Sequence, residues 1–100
     1  MTIFPGDKAF FLMDTIGLWP QALHDLLQQH DMILDCAGFF RAAQKAGWHP
    51  QKAARKLVED MEIPYTARCN PPLERLHPKE ALEQLAFLVF KKGVENATRF

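Results

Sequence analysis

Three prolines in this chain are each followed by apolar residues three and seven positions later: Pro20-Leu23-Leu27, Pro50-Ala53-Leu57 and Pro78-Ala81-Leu85. The last two copies open on the same dipeptide, His49-Pro50 and His77-Pro78. Proline suits the first position of a helix, because its ring pre-sets φ and the N–H it lacks has no partner there. Apolar residues at such intervals fall on one face of a 3.6-residue helix. The pattern therefore predicts three amphipathic helices and their starting points.

Two more helices follow from the same reasoning. Asp7, after the Pro5-Gly6 turn, is positioned to cap a first helix running to Ile16 and closed by Gly17. Asp31 is positioned to cap a longer one, ending at Ala46 and closed by Gly47, with Ile33, Leu34, Ala37, Phe40 and Ala43 on a wide apolar face. Gly38 in its middle is suited to a close helix crossing. In the helix opened by Pro20, Ala22, Leu23, Leu26 and Leu27 form the inward side; in the one opened by Pro50, Ala54, Leu57, Val58 and Met61 do. The last helix runs from Pro78 to about Gly93 with Leu82, Leu85, Ala86 and Val89 inward. Residues 62–76 hold Pro64, Asn70, Pro71 and Pro72 and read as the one long irregular segment. The expected fold is all-α: a single domain over 1–100, five helices, and a Pro-rich extended segment before the last helix.

Composition agrees with a folded globular chain, with 48% apolar and 24% charged residues. Formal net charge is zero, so no global field draws the protein toward nucleic acid or an anionic membrane, and self-association near neutral pH is favoured. The N-terminus lacks a basic region, and Asp7, Lys8 and Asp14 interrupt its apolar stretch, so it does not read as a secretory leader. The uncharged stretch between Asp14 and Asp25 contains Gly17 and Pro20 and is too short to span a bilayer. With two cysteines and no disulfide framework, free thiols in a reducing cytoplasm are expected.

Local charge is uneven. Residues 1–40 carry one Lys and five Asp, whereas residues 41–58 carry Arg41, Lys45, Lys52, Arg55 and Lys56 with no acid. Glu59, Asp60 and Glu62 follow at once. The basic island straddles a helix–Gly–helix junction and resembles a helix-turn-helix: Ala42 and Ala43 are small where the first helix packs on the second, and Gly47 sits in the turn. That resemblance implies Arg41, Lys45, Gln51, Lys52, Arg55 and Lys56 as a surface for nucleic acid or an acidic partner. Lys56 occupies a position the motif wants apolar, and Glu59 and Asp60 bring negative charge toward DNA. The same letters also read as a solvated helix face with i,i+4 pairs Arg55–Glu59 and Lys56–Asp60.

Catalytic patterns are absent. His24 and His30 stand at an H-x5-H interval but point about 240° apart on one helix, and no cysteine pair has zinc spacing. No phosphate loop or nucleophile elbow is present, so no enzyme activity, metal or cofactor is expected. Cys36 reads as an inert core thiol; Cys69, preceded by Arg68 in the irregular segment, is the candidate reactive thiol. Trp19 and Trp48 stand just before Pro-led helices, where each is positioned to pack on a first turn as a staple. The last helix carries more apolar letters than one packing face hides, which marks Phe87, Leu88 and Phe90 as a partner or homodimer surface. The functional expectation is a small cytoplasmic protein-interaction or regulatory module, homodimeric and without catalysis. The alternative is a helix-turn-helix DNA-binding regulator using residues 41–56.

Overall fold

The computed structural model describes residues 2–61, 69–70 and 78–97. In chain order these form β1 (Thr2–Phe4), α1 (Gly6–Asp14), α2 (Pro20–Gln29), β2 (Met32–Asp35), α3 (Cys36–Lys45), α4 (Pro50–Arg55), β3 (Cys69–Asn70) and α5 (Pro78–Ala97). α4 runs on into a π-helical turn, Lys56–Asp60. The described residues are mostly helical, with five helices as expected. Of the Pro-rich stretch 62–76, all but Cys69 and Asn70 lies outside the described residues.

The local start and stop signals act as their chemistry dictates. Pro20, Pro50 and Pro78 are each the first residue of a helix. Gly17 and Gly47 take φ of 83° and 85°, a left-handed backbone that glycine adopts without a Cβ clash. At Gly47 this closes α3 in a Schellman arrangement: the Trp48 N–H donates to the Ala43 carbonyl at 2.9 Å and the Gly47 N–H to the Gln44 carbonyl at 3.0 Å. α1 begins two residues earlier than expected, with Pro5 rather than Asp7 at its N-cap. The Asp7 carboxylate instead accepts from the Lys8 N–H at 2.9 Å.

The third helix departs most from expectation. Asp31 takes φ of 49°, which no continuing helix tolerates, and Met32–Asp35 becomes a strand. β2 lies between two parallel neighbours, paired Ile3↔Ile33 and Phe4↔Leu34 on one side and Leu34↔Cys69 on the other. Parallel strands need long crossovers, and the helix pairs α1–α2 and α3–α4 supply them. The capping role falls to Asp35, whose carboxylate accepts the Gly38 N–H at 3.0 Å. Gly38 leaves room for that carboxylate, while the close helix crossing belongs to Gly6.

Helix α3 packs against α1, α4 and α5, so it is the central element. One cluster gathers Leu23, Leu34, Phe39, Phe40, Leu57, Met61 and Leu82, all fully buried. Each such side chain contributes about 1.5–3 kcal/mol relative to exposure. Phe39 meets Phe10 and Phe40 edge-on, at ring separations of 5.5 and 6.0 Å. The π turn closes with the Met61 N–H donating to the Lys56 carbonyl at 3.1 Å, and Leu57 and Met61 are both buried within this stretch. Helix α2 is rotated from its expected setting: Ala22 and Leu26 are exposed, and His24 takes a buried position beside Leu23 and Leu27.

Candidate functional site

The expected basic surface begins on α3 and continues onto α4, and the fold divides it. Arg41 and Lys45, one turn apart on α3, border a groove between α3 and α5. Gln51 and Arg55 border a separate cleft with Glu59 and Glu83, where charges of both signs meet. Lys52 and Lys56 border a third, beside Asp14, Leu18 and Trp48. The Lys52 ammonium sits over the Trp48 ring, 4.1 Å from its centroid, and Lys56 pairs with Asp60 at 3.0 Å. Arg41 and Lys45 also border a fourth cleft, with Asp7 and Asp35, so the six residues are spread over four clefts.

The two tryptophans separate as well. Trp48 packs against the core and meets Phe10 of α1 edge-on at 4.9 Å, while its contact with the first turn of α4 is the Lys52 ammonium over its ring. Trp19 does not staple: it is itself the N-cap residue of α2 and is 78% exposed.

Helix α5 carries the apolar residues singled out for a partner. Phe87 and Leu88 are 49% and 57% exposed. Phe90, by contrast, packs against the core, and its carbonyl accepts from the Gln44 amide at 2.9 Å. α5 also passes Gly93 without stopping. A Cβ at Gly93 would collide with the Gln44 side-chain amide, so the glycine makes room for that amide to lie along α5. Sequence reasoning missed this contact, since a glycine late in a helix reads as a terminator.

The result is a groove of about 570 Å³ with an apolar floor of Ala37, Leu85, Leu88 and Val89. Its charged lining residues are Arg41, Lys45 and Lys92, all cationic. Arg41 approaches Asp35 at 3.8 Å. Among the described residues, Lys45 and Lys92 make no ion pair. Next to the groove, Gln84, Phe87, Leu88 and Lys91 form a shallower recess of about 330 Å³.

No family model, curated protein or solved structure matches this chain. The groove must therefore be read on its own chemistry.

Cys36 is fully buried, as its apolar surroundings predict, but it is disulfide-bonded rather than a thiol. The chain has one other cysteine, Cys69. Its backbone pairs with Leu34 in the neighbouring strand, while its sulfur lies outside the described side chains. Among the described residues, no group of three His, Cys, Asp or Glu side chains is placed to hold a metal ion. No described helix is long and apolar enough to cross a membrane.

Proposed function

We propose that this domain is a small protein-interaction module, without catalysis of its own, that docks its partner on α5. The observation that carries this reading is the pair Phe87 and Leu88, half exposed beside a groove with an apolar floor. Contiguous apolar surface of this kind costs solubility in a monomer and is characteristic of partner sites. A second copy of the chain is the other occupant in view. An isologous seam through the groove sets Arg41, Lys45 and Lys92 near their own symmetry mates, which like-charge repulsion opposes. Charge thus favours a different protein over a homodimer at the groove itself.

The DNA-binding alternative draws support from the Gly47 turn between α3 and α4. Against it, Lys52 is engaged by Trp48, Lys56 by Asp60, and Arg55 shares its cleft with two acids. A cytoplasmic setting requires Cys36 to be reduced in cells, whereas its disulfide belongs to an oxidising compartment.

The test is the double variant Phe87→Glu with Leu88→Glu. It should keep the wild-type circular dichroism spectrum, because both side chains are already half in water, and should lose the binding partners or self-association that the wild type shows. Retention of every partner and of the wild-type mass would remove the function from α5. Affinity for duplex DNA that falls steeply with salt would instead promote the Arg41–Lys56 tract.

A further inference from the structure

We infer that the α3–α5 groove receives an amphipathic helix of another protein that carries acidic side chains beside its apolar stripe; this rests on the docking reading above and specifies the partner. Leu85, Leu88, Val89 and Lys92 lie at i, i+3, i+4 and i+7 of α5, and Ala37, Arg41, Gln44 and Lys45 at i, i+4, i+7 and i+8 of α3. Each set is one face of its helix, so the groove is a trough between two helical ridges, the shape into which a third helix packs. Its volume, about 570 Å³, is of the order that a buried ligand group or a few anchoring side chains fills.

Charge selects among the helices that fit. The groove's lining contains three cations and no acid, and Lys91 extends the same sign into the recess beside Phe87. Two of the three, Lys45 and Lys92, make no ion pair among the described residues. A cationic rim around an apolar floor is complemented by leucine-like anchors flanked by Asp or Glu, and it repels a basic helix. The remaining clefts offer no such selection: one mixes Arg55 with Glu59 and Glu83, another places Asp14 beside Lys52 and Lys56, and a third sets Asp7 and Asp35 against Arg41 and Lys45. Gly93 is a positioning residue here, since it lets the Gln44 amide bind the Phe90 carbonyl along α5 beside the groove.

The probes are two fluorescein-labelled, hydrocarbon-stapled helices with leucine at i, i+3, i+4 and i+7, one flanked by glutamate and one by lysine, read by anisotropy against the full chain. The glutamate helix should bind about tenfold more tightly, the sum of several exposed charge pairs, and the gap should narrow as salt rises. Lys45→Glu with Lys92→Glu changes two exposed side chains and should reverse the preference. Leu88→Ser should weaken both helices. Equal affinity for the two helices, or a preference that the charge swap does not reverse, overturns the acidic partner while Leu88 dependence keeps the docking face. Self-association that depends on Leu88, with neither helix bound, makes a second copy the occupant and overturns the inference. Absence of both helix binding and self-association overturns this inference and the docking reading together.

Discussion

Replacing Gly6 with alanine should cost this protein about 2–3 kcal/mol, although helix propensity taken alone predicts a gain. Gly6 is the first residue of α1, and its Cα rests on the first turn of α3. A Cβ there would overlap the Phe39 amide nitrogen, the Asp35 carbonyl oxygen and the Gly38 carbonyl carbon. All three are backbone atoms, so no rotamer change relieves them, and the two helices must separate by something on the order of 1 Å to restore van der Waals distance. Overpacking of well-filled interiors costs about 1–3 kcal/mol and occasionally more, and a backbone-to-backbone clash belongs at the top of that range. Alanine returns up to about 1 kcal/mol of helix propensity.

The net loss, at about 4–8 °C per kcal/mol for a domain of this size, lowers the melting midpoint by roughly 10–20 °C. Gly17→Ala is the control. Its Cβ would point into open space, so it bears only the strain of φ 83°, about 1–2 kcal/mol. Urea and thermal unfolding followed by circular dichroism measure both. Gly6→Ala that is as stable as the wild type would refute the direct α1–α3 contact.

Two further outcomes follow from buried groups. His24 is 6% exposed, and neither ring nitrogen has a hydrogen-bond partner among the described residues, the Asp25 carboxylate standing 3.6 Å from Nδ1, so His24→Leu should be neutral or raise the unfolding free energy by about 1–2 kcal/mol; a loss of more than 1 kcal/mol in urea titration would mean that the ring is bonded after all. Because Cys36 is disulfide-bonded and Cys69 is the chain's other cysteine, protein denatured without reductant should take up no iodoacetamide, and two equivalents after reduction, by intact mass. Rapid alkylation of one native thiol would restore Cys69 as the reactive cysteine. Loss of the disulfide should lower stability by about 3–4 kcal/mol in the chain-entropy account of a loop of this length.

The groove was half legible. Phe87 and Leu88 stand out because α5 has more apolar letters than one face can bury, and that surplus is a local property of the helix. Two of its three cations, Arg41 and Lys45, belong in sequence to an island continuing through Lys56 and the third, Lys92, lies far outside it, since adjacency in sequence says nothing about which cleft a side chain borders. Packing of α3 on α5 places Arg41 and Lys45 between the groove and a cleft beside Asp7 and Asp35, while α4 carries Gln51, Arg55, Lys52 and Lys56 to two others.

What the sequence alone determined is what short-range sterics decide. Pro20, Pro50 and Pro78 begin helices because the ring sets φ, and Gly47 closes α3 because a left-handed backbone excludes a Cβ, while α1 stops at Asp14, three residues before Gly17. Residues 32–35 needed the tertiary structure. Met-Ile-Leu-Asp fits the apolar face of a helix as readily as a buried strand, and the choice falls to hydrogen bonds with Thr2–Phe4 and Cys69–Asn70, distant in sequence and adjacent only after the helices cross. The burial of His24, the capping by Asp35 and the continuation of α5 past Gly93 have the same origin: each is settled by a neighbour that only the folded chain brings within reach.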